Sequence, residues 1–243
     1  DSAPPAALAA LAVEAPAGVP RERGGLALRA WRNHVRIYSE LELDFERLAN
    51  VAQWTRDRSL RWLAEGPFET QPIQICLCDR EEELRRLEAE LPLVGARPLE
   101  RSSKGGYFHA HAAILLLVEE DRNIEWLIAH EMFHSVFRSL AAANPPALNE
   151  GLAEVVPSWI LYGDGLSPEG AGATYSTYEA FLCGIVASGS VPTLRSLISA
   201  TADEFHRDRW RSFALSWSLA RLLIESDDPE VAEVIEFSSA IAS

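Results

Sequence analysis

The stretch that most constrains this chain is residues 124–137, where His130, Glu131 and His134 interrupt an apolar run. Ile124, Leu127, Ile128, Met132, Val136 and Phe137 recur at helical spacing, so the segment reads as a helix with a buried face. His130, Glu131 and His134 are set into it. Burying such groups without a partner is costly, so the fold must give them something to bind. The i, i+4 spacing puts both imidazoles on one face, a turn apart, where they can take two corners of a tetrahedral zinc ion. Glu131 is turned ~100° away from His130. It is therefore poorly placed as a ligand beside them and well placed to act as a general base on an attacking water. A His-Glu-x-x-His pattern arises by chance in roughly one or two of a hundred such chains, so its apolar helical setting carries as much weight as the motif.

A third ligand is needed, and Ala147-Leu148-Asn149-Glu150-Gly151-Leu152-Ala153-Glu154 offers one. A helix–loop–helix turn over Pro145-Pro146 would bring Glu150 back to face His130 and His134. Glu154, one turn further on, is placed to accept a hydrogen bond from the far nitrogen of a ligand histidine. The alternative for both carboxylates is a solvated helix face.

Upstream of the motif, strand and helix signals alternate. Residues 26–41 contain His34-Val35-Arg36-Ile37-Tyr38, whose alternation predicts a strand. Asp44 is placed to cap a helix running to about Ala64, with Phe45, Leu48, Ala52, Leu60 and Leu63 on its apolar stripe. Residues 71–78 predict a second strand. A charged helix follows from Arg80 to about Leu91, with Glu81, Glu82 and Glu83 at the positive end of its dipole. The glycine-marked segment Ser103-Lys104-Gly105-Gly106-Tyr107-Phe108 leads into residues 110–119, the strongest strand signal in the chain. From residue 123 the pattern is helical only, over 123–140, 147–161, 175–188, 192–200, 203–225 and 229–240. This order predicts an α+β architecture. Residues 1–25 form an Ala/Pro-rich tail, 26–122 a mixed α/β lobe with a small sheet, and 123–243 a helical lobe, all within one catalytic domain. Trp54, Trp62, Trp126, Trp159, Trp210 and Trp217 fall on predicted helices and are expected in the core.

These motifs resemble the gluzincins of the peptidase MA clan, and more closely the compact bacterial peptidase MA-like domains. The resemblance covers about residues 26–226. It implies a zincin-like fold with the active-site helix between the lobes and one Zn2+ per chain held by His130, His134 and Glu150. Glu131 would be the base and Glu154 the support of a ligand. The implied activity is zinc-dependent hydrolysis of peptide bonds in a peptide or protein substrate. Ala113, Ile114, Leu115 and Leu116 would form the edge strand on which the substrate lies extended. The chain departs from the family at one position. Phe213-Ala214-Leu215-Ser216-Trp217 stands where relatives place a tyrosine hydroxyl that donates to the oxyanion. His206, Tyr178 and Tyr175 are candidate replacements. A zinc-binding pseudopeptidase that serves as a peptide- or protein-interaction module is the alternative reading.

Composition narrows the partners. A net charge of −14 offers nothing to neutralise phosphates and argues against nucleic acid. No apolar run approaches the ~20 residues that span a bilayer. Oligomeric state is not legible. The three cysteines make no disulfide framework: Cys76 and Cys78 share a strand face and are expected as buried thiols, far in sequence from Cys183. His109 and His111 are expected to face solvent. The chain opens at Asp1 without a Met, which suggests that an upstream stretch has been removed, either a signal peptide or a truncation. A secreted or periplasmic location is expected, with the cytoplasm left open.

Overall fold

Val35–Ser39 forms the strand predicted at His34–Tyr38, and Asn33 and His34 turn the chain into it from a further strand, Leu26–Arg32, to make a hairpin. In the computed structural model, β1 (Glu22–Arg23) pairs with β2 (Leu26–Arg32), and β2 with β3 (Val35–Ser39), both antiparallel. The structure describes residues 20–63, 72–90, 106–109, 113–118, 123–140, 145–162 and 172–226. Helix α1 (Phe45–Leu63) follows, and Asp44 Oδ1 caps it by accepting from the Arg47 N–H at 3.0 Å. Next come β4 (Ile73–Cys78), α2 (Glu81–Glu90), β5 (Gly106–His109) and β6 (Ala113–Leu117). The remaining described elements are helices: α3 (Ile124–Leu140), α4 (Pro146–Tyr162), α5 (Gly172–Ala187), α6 (Leu194–Ile198), α7 (Ala202–Arg207) and α8 (Arg209–Glu225). The predicted helix over 203–225 is thus two, separated at Asp208, whose φ of −123° and ψ of 71° are not helical. The predicted helix over 229–240 lies outside the described residues, as does His111.

The strands form one mixed sheet in the order β1-β2-β3-β4-β6-β5. β3, β4 and β6 run parallel, and β5 closes the end antiparallel to β6. This corrects the assignment of the edge strand. Ala113, Ile114, Leu115 and Leu116 are paired with β4 on one side and with β5 on the other, and all four are buried. A continuous apolar run with no polar alternation is how a strand covered on both faces reads. The glycine-marked Gly106-Tyr107-Phe108-His109 segment takes the edge instead.

Alternation along the strands divides the core. Ile37, Ile75, Leu77, Ile114 and Leu116 face α1 and α3. Tyr38, Cys76, Cys78, Ala113 and Leu115 face α2 through Leu84 and Leu87. Burial there pushes both the Cys76 and Cys78 thiols up to about 12, so they stay protonated and inert. A second core joins the helices, with Ala147, Ala153 and Val156 of α4, Tyr178 of α5, Phe205 of α7, and Phe213 and Trp217 of α8. Helix α3 belongs to both. Leu127, Ile128, Ala129 and Met132 pack on the sheet side, while Phe133 packs among the helices. Two tryptophans depart from the core expectation: Trp54 and Trp210 are 41% and 48% exposed, stacked beneath Arg58 and against Phe181 respectively. The side chains of Trp62 and Trp159 lie outside the described residues.

Candidate metal centre

Asn123 begins the site by capping α3, its Oδ1 accepting from the Trp126 N–H at 3.1 Å. One turn on stands His130, and a turn beyond that His134, both buried. Their Nε2 atoms converge to 3.0 Å. Helix α4 returns antiparallel to α3 and brings Glu150 to them, its Oε2 lying 3.5 Å from His134 Nε2 and 3.9 Å from His130 Nε2. Among the described residues, these three form a group whose ligand atoms all lie within 4.8 Å of one another. A tetrahedral zinc site with bonds of ~2.0–2.1 Å holds its ligand atoms roughly 3.3–3.4 Å apart. The observed edges of 3.0, 3.5 and 3.9 Å bracket that value. The donor set of two imidazoles and one carboxylate suits zinc chemically and fits other divalent transition metals as well.

The protonation pattern also suits a cation. Asn149, buried beside Glu150, places Oδ1 2.9 Å from His134 Nδ1. A carbonyl oxygen can only accept, so it holds the His134 proton on Nδ1 and turns the Nε2 lone pair inward. Burial pushes the Glu150 carboxyl up, but with protons standing where a cation would, the positive charge of His134 and the hydrogen bond it then donates, followed by His130 and His206, outweigh burial and hold the group down at about 2. The carboxylate is therefore charged at any physiological pH. Asn149 is the site residue that sequence reasoning passes over. Its signal was an amide adjoining the ligand within a helix otherwise apolar at that turn.

Gly151 fixes how closely α4 packs on α8. A Cβ on Gly151 would lie 2.2 Å from the backbone oxygen of Ser216 on α8 and 2.7 Å from its carbonyl carbon. Only glycine lets α4 settle against the α8 backbone at this depth. Glu131 and Glu154 are both buried, at 6% and 1% exposure. Trp126 meets Ser158 at one end of the α3–α4 pair and His134 meets Asn149 at the other. That antiparallel register puts Glu154 level with His130.

The candidate oxyanion donors separate. His206, at the end of α7, is exposed and near enough for its charge to act on Glu150. Tyr178 is fully buried in the helical core, its ring between Trp210 and Trp217 at centroid distances of 6.4 and 6.0 Å. Tyr175 lies on α5, its side chain outside the described residues. Phe213 is buried against Phe205 and beneath the Arg209 guanidinium. The chain matches no known protein family's sequence profile and no curated protein sequence.

Proposed function

We propose that this protein is a zinc-dependent peptidase of the gluzincin type, with a zincin-like arrangement of the sheet and helices around α3. The observation that carries the reading is the convergence of His130 Nε2, His134 Nε2 and Glu150 Oε2 at the edge lengths of a tetrahedral metal site, with Glu131 buried on the same helix turn. Two imidazoles from one helix and a carboxylate from the next leave a fourth corner for solvent or substrate, as a catalytic zinc site requires. When bound, the metal supplies Lewis-acid polarisation of the scissile carbonyl and acidifies the attacking water. Glu131 accepts the proton of that water and returns it to the leaving amine. Glu154, buried and level with His130, is the carboxylate we assign to support that ligand from behind when the metal is bound. His206, whose charge acts on Glu150, is the residue we assign as donor to the developing oxyanion in place of the hydroxyl that Phe213 lacks.

The edge strand supports a peptide as substrate. Among the described residues β5 is paired on one side only, and it contacts α3, the helix that carries the two histidines. An extended chain added to that edge would lie beside the metal, with main-chain hydrogen bonds holding it and alternate side chains read by pockets.

The buried Phe213 favours a second reading, a zinc-holding module that binds peptides without cutting them. One pair of variants separates the two. His130→Ala is expected to lose stoichiometric zinc by metal analysis. Glu131→Gln is expected to keep the zinc and lose cleavage of a broad peptide library by more than about 100-fold. Equal library profiles for the wild type and Glu131→Gln would defeat the peptidase reading and leave the binding module.

A further inference from the structure

Trp126 is neither a ligand nor within the His-Glu-x-x-His motif, yet it touches both ligand-bearing helices. On its own helix it stands one turn before His130, with ring centroids 4.9 Å apart and planes inclined at 41°. Such contact restricts rotation of the His130 imidazole about its terminal torsion, the one soft degree of freedom that aims Nε2. Across the helix pair, Trp126 Nε1–H donates to Ser158 Oγ at 3.1 Å. The Ser158 hydroxyl in turn donates to the Glu154 carbonyl oxygen, also at 3.1 Å. This chain of bonds falls where α4 is weakest. Pro157 has no N–H to give to the carbonyl one turn behind it, and a proline inside a helix loosens the local geometry. A serine that follows it, bonded back to the helix and forward to the neighbouring helix, restores a fixed angle between the two.

We infer that Trp126 is a positioning residue for the metal centre: its ring sets the orientation of His130, and its indole N–H, through Ser158, sets the approach of the helix that carries Glu150. The inference rests on the metal-site reading above and adds to it a residue that makes no bond to the metal. Outer groups of this kind, when removed, commonly weaken metal affinity 10–100-fold.

The experiment uses the intact chain loaded with Co2+, whose visible absorption reports ligand geometry, with affinity measured by competition against a chromophoric chelator. Trp126→Phe keeps an aromatic ring and deletes the N–H, and Ser158→Ala deletes the acceptor. Each is expected to weaken Co2+ binding roughly ten-fold. The double variant should be no worse than either single one, because both remove the same bond. Ser158→Thr, which keeps a hydroxyl, should restore wild-type affinity. Trp126→Leu should also shift the visible band of the saturated protein, a change that lower stability alone does not produce. Wild-type affinity and spectrum in Trp126→Phe and Ser158→Ala would overturn the inference while leaving the metal site intact. A wild-type chain that takes up no Co2+ would overturn the metal reading, and this one with it. Should Trp126→Leu fail to fold, the Phe and Ala variants decide alone.

Discussion

At the scale of single residues, the chemistry depends on where protons sit. Asn149 accepts from His134 Nδ1 and so dictates which nitrogen is free to face a cation. Asn149→Ala is therefore expected to weaken zinc binding roughly ten-fold, while Asn149→Asp, still an acceptor, should hold near wild-type affinity. Isothermal titration of the two variants checks this. The three residues of the candidate metal group are legible from sequence, because helical periodicity fixes which side chains share a face and Pro145-Pro146 marks the reversal between the two helices. Asn149 is not legible in the same way. An amide in a helix reads equally as surface or cap, and only the return of α4 onto α3 shows which histidine it meets. Trp126 is obscured for a similar reason: its spacing suits core packing, and its half-buried ring does take part in the sheet-side core.

At the scale of elements, the packing of α4 against α8 sets where the helix that carries Glu150 lies. Gly151 has the Ser216 backbone where a side chain would go. G151A should cost about 1–3 kcal/mol of stability through overpacking. It should also weaken zinc binding, because a shift of α4 moves the adjacent Glu150 relative to the two histidines. Urea denaturation of the metal-free protein and zinc titration measure the two effects separately. A glycine within a helix signals from sequence only that something approaches closely, and which backbone does so is a tertiary fact. Helix spans are otherwise read well, with Asp44 and Asn123 marking starts that hydrogen bonding confirms. The break at Asp208 escapes periodicity, since α7 and α8 both continue an apolar stripe through Phe205 and Phe213.

At the scale of the molecule, sheet order is the least legible property. β6 pairs with β4 and β5, so chain order and spatial order diverge there, and no local pattern in the glycine-marked segment announces that it takes the edge. The alternation of strand faces and the helical second half are legible because they follow from side-chain period alone. Metal should be felt by the whole chain, because α3 is a wall of both the sheet-side and the helical core. Zinc at a hundred times its dissociation constant should stabilise the native state by ~2.7 kcal/mol. For a chain of this length that raises the melting temperature by roughly 5–10 °C. His134→Ala should melt at the same temperature with and without zinc. The antiparallel pairing of α3 and α4 has a further consequence for engineering. The three candidate ligands, the amide behind His134, the carboxylate level with His130 and the Trp126–Ser158 link all lie on the α3–α4 pair. The centre is therefore a candidate for transplantation as a single contiguous segment into a designed bundle, provided that the host presents a bare backbone groove opposite Gly151.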